Sequence, residues 1–155
     1  MKSVYITSSA WETKKIGQEV ANKILKKRGT AKAQVLALEG DLGGGKTTFL
    51  QGFAKGLGIR QKILSPTFVI LKKFKINHER FNFFYHIDCY RIKRAKEISE
   101  LGFKKIADDS KNIIAVEWSR RIKRILPQHT IFINFEFINK DKRKIKIIWP
   151  KKKNV

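Results

Sequence analysis

The chain has 155 residues, 42% of them hydrophobic, with 35 basic against 13 acidic side chains and a net charge of +22. That length buries a real core in one domain, so residues 1–150 are expected to form a single unit followed by a basic tail, 151–155. No apolar run approaches the roughly 18 residues that span a bilayer, the N-terminus lacks a signal-peptide segment, and the single Cys89 has no disulfide partner, all as expected of a soluble cytoplasmic protein.

In chain order, Ser9-Ala10-Trp11-Glu12 has the form of a capping box, and the apolar stripe Ile16, Val20, Ile24 and Leu25 predicts a helix from Trp11 to about Lys27, ended by Gly29. Gln34 to Glu39 is a short apolar, β-branched run that reads as a buried strand. Residues 46–55, with Phe49, Leu50 and Phe53 at helical spacing, predict a second helix closed by Gly56-Leu57-Gly58. Phe68 to Phe74 and Phe81 to Ile87 read as a hairpin beside the main sheet, with Lys75 to Glu79 as its turn. Glu97 to Leu101 is a short helix stopped by Gly102. Asn112 to Glu117 is an apolar strand ending in a carboxylate, and Pro127 precedes two last strands, Thr130 to Ile138 and Lys144 to Trp149. The fold class expected is α/β: a sandwich around one mixed, largely parallel sheet with antiparallel strands at the side.

Between the first strand and the second helix lies Gly40-Asp41-Leu42-Gly43-Gly44-Gly45-Lys46-Thr47, a phosphate-binding loop of the form Gly-x-x-x-x-Gly-Lys-Thr. Its chemistry follows from its residue types. Glycines let backbone N–H groups converge on a phosphate, and the helix beginning near Lys46 adds unpaired N–H groups and the positive end of its dipole. Lys46 brings a mobile charge to the β- and γ-phosphates, and the Thr47 hydroxyl suits a Mg²⁺ that bridges them. Such a site needs a second carboxylate, and two present themselves at strand ends: Asp88 after Tyr85-His86-Ile87, and Glu117 after Ile114-Ala115-Val116. Either acid is otherwise an ordinary solvated strand end. Arg91 can serve an anion or pair with a carboxylate, and Trp118 can stack on a ligand or pack in the core. The histidines His78, His86 and His129 show no ligand spacing and read as structural or surface residues. Asn139-Lys140-Asp141-Lys142 misses the guanine-reading Asn-Lys-x-Asp by one position and reads as a coincidence in a charged turn, which leaves adenine as the expected base.

These residues resemble a known family, the small bacterial ATPases called TsaE or YjeE. The resemblance runs in order along nearly the whole chain. It takes in Ser9-x-x-Glu12-Thr13, the loop 40–49 with Gly44 where alanine is usual, and Ser65-Pro66-Thr67-Phe68. It continues through His86-x-Asp88-x-Tyr90-Arg91 and Glu100-Leu101-Gly102 to Glu117-Trp118. It implies a P-loop ATPase that acts with the TsaD and TsaB proteins in making threonylcarbamoyladenosine in tRNA, tRNA being reached through that complex. ATP hydrolysis would support turnover of the complex without itself transferring the group. The resemblance further implies that Leu42, Gly43, Gly44, Gly45, Lys46, Thr47 and Thr48 bind ATP, with Trp118 and Arg143 approaching the nucleotide. Thr47 and Glu117 would ligate Mg²⁺, Asp88 would support hydrolysis, and Thr67 would respond to the γ-phosphate like a switch. The chain departs from the family after Glu117-Trp118, where the usual Pro-Glu is Ser119-Arg120. Two other readings compete: a small-molecule kinase using the same loop, for which no arginine-bearing lid is identified, and an RNA-binding module resting on charge. The charge itself has two readings, attraction to nucleic acid or the lysine excess that an A/T-rich genome produces.

Overall fold

A computed structural model describes residues 1–65 and 70–151. The elements are β1 (Lys2–Thr7), α1 (Ala10–Lys26), β2 (Gln34–Glu39), α2 (Lys46–Gly56), β3 (Leu71–Lys75), β4 (Phe83–Asp88), α3 (Ala95–Glu100), α4 (Phe103–Asp108), β5 (Asn112–Glu117), a 3-10 helix (Ser119–Ile125), β6 (Ile131–Phe137) and β7 (Arg143–Ile148). The strands form one sheet in the order β1-β7-β6-β2-β5-β4-β3. Its centre, β6-β2-β5-β4, is parallel, and antiparallel strands flank it: β7 and β1 on one side, β3 on the other. The expected mixed, largely parallel α/β architecture is what the chain adopts.

Alternation along the strands divides the core in two. Leu36, Leu38, Ile113, Ala115, Ile133 and Phe135 face the layer of α1 and α2, where they meet Val20, Ile24, Phe49 and Phe53. Val35, Ile87, Ile114 and Val116 face the other layer and meet Ile98 of α3, Phe103 of α4 and Ile122 of the 3-10 helix. Because both faces are covered, β2 and β5 are almost wholly buried, as parallel strands require.

Several local expectations are met closely. The first helix runs Ala10–Lys26, with the Glu12 N–H donating to Ser9 Oγ at 3.1 Å. The return bond of the box comes from the Ser8 N–H to Glu12 Oε2, one residue earlier than the usual form. One expectation needs correction. The hairpin is real, but its second strand, β4, is no side element: it lies inside the sheet, parallel to β5 from Phe83↔Asn112 to Asp88↔Glu117. The hairpin's expected start, Phe68 and Val69, lies outside the described residues. β1, α4 and the 3-10 helix are further elements that the sequence pattern does not predict.

Candidate functional site

The parallel register decides where the chemistry gathers. β2, β4 and β5 end at one edge of the sheet, with Leu38 opposite Glu117 and Asp88 opposite Glu117. The loop 40–45 leaves β2 at that same edge and feeds directly into α2. Ligands of open α/β sheets bind there, outside the carboxyl ends of the strands. Gly40 has φ +146, and a Cβ on it would come within 2.4 Å of the Phe135 carbonyl oxygen, so the loop's first residue has no room for a side chain.

A cavity of about 700 Å³ opens over the loop. Its floor is Leu42 to Thr48, and its walls carry Ser65, Glu117, Trp118 and Arg143. All seven loop residues singled out in the sequence thus meet Glu117, Trp118 and Arg143 at one site. Residues from the first turn of α1 (Ser9, Ala10, Thr13) and from the β6–β7 turn (Lys140, Asp141) complete the lining. Neither group is marked as part of the site by the sequence alone. The Asn139–Lys142 turn, read there as a coincidence, is brought to the cavity because β7 pairs with β6 and its first residue, Arg143, reaches back to the loop. Asn139 Oδ1 accepts from the Asp141 and Lys142 N–H groups at 3.0 and 2.8 Å and so shapes that turn.

Lys46 is buried, with only 6% of its surface exposed. Its ammonium donates to the carbonyl oxygens of Gly40 and, at 3.0 Å, Asp41, and lies 4.4 Å from the centre of the Trp118 ring. Burial holds its pKa below the ordinary lysine value, against the opposing pull of Glu117, Glu39, Asp41 and Asp88. Thr47 Oγ1 donates to Glu117 Oε1 at 3.4 Å. These are two hard oxygen donors of the kind Mg²⁺ prefers, and few protein ligands suffice where phosphates supply the rest. The described residues hold no group of three or more His, Cys, Asp or Glu side chains able to bind a metal by themselves. The donor set therefore fits a metal that arrives with phosphate oxygens.

Asp88 does not line the cavity. Its Oδ2 accepts from Ser65 Oγ at 2.8 Å and its Oδ1 from the Tyr90 N–H at 2.8 Å, so the acid stands one side chain behind the wall, next to Glu117 in register. Thr67 lies outside the described residues. Arg143 Nε donates to the Gly43 carbonyl oxygen at 2.9 Å, tying β7 to the loop. Trp118 takes a left-handed backbone conformation, φ 57, and its ring lies 5.0 Å from that of Tyr90. Cys89 is fully buried, which pushes its thiol up to about 12 and removes it from nucleophilic chemistry at neutral pH.

Two residues passed over in the sequence complete the arrangement. His86, read as structural or surface, is fully buried, and its Nε2 lies 2.7 Å from Glu117 Oε2. Its place two residues before Asp88, on the same face of β4, was the available signal. Glu39, the last residue of β2, accepts from Ser119 Oγ at 2.6 Å and from the Arg120 N–H, while the Arg120 guanidinium stands 3.6 Å from its other oxygen.

Comparison with known proteins agrees with this geometry. Residues 7–145 match the family model described as "Threonylcarbamoyl adenosine biosynthesis protein TsaE". The chain is 36% identical over 153 residues to the tRNA threonylcarbamoyladenosine biosynthesis protein TsaE of Rickettsia conorii, covering 97% of this chain and 81% of that protein. It is 30% identical to the protein of that name from Treponema pallidum, covering 92% and 97%. Among solved structures, it resembles YdiB of Bacillus subtilis with a TM-score of 0.75 and 32% identity, over 97% of this chain and 87% of that one. With a glycine-rich loop at the carboxyl edge of a parallel sheet, and matched along nearly its whole length by these relatives, this chain belongs to the TsaE family of tRNA threonylcarbamoyladenosine biosynthesis.

Proposed function

We propose that the cavity binds ATP with Mg²⁺ and hydrolyses it, and that this hydrolysis supports turnover of a TsaD–TsaB complex forming threonylcarbamoyladenosine in tRNA. The observation that carries the reading is the convergence on one cavity of the glycine loop, the Lys46 ammonium, and the Thr47–Glu117 oxygen pair. In this reading residues 1–150 act as one cytoplasmic ATPase domain, with 151–155 as a basic tail, and tRNA is met through the complex.

The roles follow from the chemistry of each group. The N–H groups from Leu42 to Thr48 receive the phosphates at the start of α2. Phosphate oxygens are stronger acceptors for Lys46 than the Gly40 and Asp41 carbonyls it now engages. Thr47 and Glu117 hold Mg²⁺, which when bound neutralises charge developing on the phosphates. Arg143, which donates to the Gly43 carbonyl, and Trp118, which lines the same cavity, are the side chains that approach the nucleotide. Asp88, whose Oδ2 accepts from Ser65 Oγ, supports hydrolysis, and Thr67 is the residue that responds to the γ-phosphate like a switch.

The test separates binding from hydrolysis. Nucleotide binding to the chain alone, and ATP turnover with TsaD and TsaB present, are measured for the wild type and for Lys46→Ala, Glu117→Ala and Asp88→Ala. Lys46→Ala is expected to lower turnover by about 10²–10³-fold, Glu117→Ala to weaken the Mg²⁺-dependent part, and Asp88→Ala to bind normally yet hydrolyse slowly. Full turnover in Lys46→Ala would refute the site.

A further inference from the structure

We infer that His86 is a positioning residue for the metal-binding carboxylate: its imidazole holds one oxygen of Glu117 so that the other stays turned toward Thr47. The inference rests on the reading that Glu117 ligates Mg²⁺. It goes beyond that reading by naming what fixes the ligand's orientation.

Glu117 is 2% exposed and His86 is completely buried. A carboxylate taken that far out of water needs partners for its oxygens, and the described structure gives it one on each. Oε2 meets His86 Nε2 at 2.7 Å, and Oε1 meets Thr47 Oγ1 at 3.4 Å. Nδ1 of His86 is buried and has no hydrogen-bond partner among the described residues. A proton there would be a buried donor without an acceptor, so the proton belongs on Nε2, where it is donated to Glu117. The ring has little freedom to turn away. It is carried by β4, between β3 and β5, and stacks beside Phe84 with centroids 6.5 Å apart and planes 12° from parallel. The bond therefore links two adjacent parallel strands through side chains at their carboxyl ends, and it fixes which Glu117 oxygen faces the cavity. Partners of this kind behind a ligand orient it and tune its affinity.

The decisive experiment is calorimetric titration of the whole chain with a non-hydrolysable ATP analogue, at a series of Mg²⁺ concentrations and in EDTA. Wild type, His86→Phe and His86→Gln are compared. Phenylalanine keeps the planar ring and removes the donor; glutamine offers an amide N–H near the place of Nε2. His86→Phe is expected to raise the Mg²⁺ concentration giving half-maximal enhancement of binding by about 10- to 100-fold. His86→Gln is expected to recover most of that loss, and all three proteins are expected to bind the analogue equally in EDTA. An unchanged Mg²⁺ requirement in His86→Phe overturns the inference, as does an equal loss of affinity with and without Mg²⁺, which would mark a purely structural histidine. Should His86→Phe fail to fold by circular dichroism, His86→Asn replaces it, because its shorter amide falls away from Glu117. Equal Mg²⁺ requirements for the Asn and Gln variants then overturn the inference. Binding by the wild type that is indifferent to Mg²⁺ defeats the metal reading itself, and this inference with it.

Discussion

Glu39 shows how distant residues of this chain join two parts of the site. After Glu117-Trp118 the chain continues Ser119-Arg120, and both residues turn to Glu39 at the end of β2. A base at 120 meets an acid at 39, so the strand that launches the glycine-rich loop is joined to the turn that presents Trp118. The two contacts differ in weight. Ser119 is buried and donates to a largely buried carboxylate, so Ser119→Ala is expected to cost about 1.5–3 kcal/mol. The Arg120 side chain is 84% exposed, and Arg120→Gln is expected to cost no more than about 1 kcal/mol. Urea unfolding midpoints check this, and a larger loss from Arg120→Gln than from Ser119→Ala would contradict it. Such pairings were not legible in the sequence. Ser119 and Glu39 stand 80 positions apart, and only the β2–β5 register brings them together. The loop, by contrast, is a contiguous motif whose residue types state its chemistry directly. His86 falls between these cases: its motif was visible, while its partner across the sheet was not.

At the scale of elements, the closest joint is between α1 and α2, the helix that carries the loop into the site. A Cβ at Gly52 would lie 1.9 Å from the Lys14 carbonyl oxygen, and one at Gly17 would lie 2.1 Å from that of Phe49. The helices approach backbone to backbone, and no side-chain rotation relieves a substitution there. Gly52→Ala is expected to destabilise the fold by about 1–3 kcal/mol, as overpacking does. Gly29→Ala, where a Cβ meets nothing within 4 Å, is expected to stay within about 0.5 kcal/mol. Thermal unfolding of the two variants distinguishes them, and equal melting temperatures would contradict the packing argument. Helix α1 was readable because a cap and an apolar stripe agree. β1 was not, because its alternation is inverted. Val4 and Ile6 point outward, 49% and 55% exposed, while Tyr5 and Thr7 face inward, so the strand lacks the usual apolar-inside signal. α4 has six residues, too few for a helical period to show, and opens on Gly102 in the left-handed region. β4 is legible as a strand, but its position inside the sheet is not. Chain adjacency suggests pairing with β3, whereas its nearly complete burial reflects β5 on its other side.

At the scale of the molecule, the sheet order is what turns separate motifs into a site. β2 lies between β5 and β6, so the loop, Glu117 and the β6–β7 turn with Arg143 share one edge although the chain separates them widely. The fold class was legible because strand, glycine loop and helix must follow one another in that order; the strand order was not, because it depends on which buried faces meet. No helix among the described residues is long and apolar enough to cross a membrane. The role proposed for this cavity is ATP hydrolysis that keeps a partner complex turning over. The most direct test is the yield of threonylcarbamoyladenosine on tRNA over many turnovers. Purified TsaD and TsaB receive a supplied threonylcarbamoyl donor and ATP, with the wild-type chain or its Lys46→Ala variant added. Sustained formation with the wild type and a halt after the first turnovers with Lys46→Ala is the predicted result. Equal yields with either protein and with none, although the complex assembles, would contradict it.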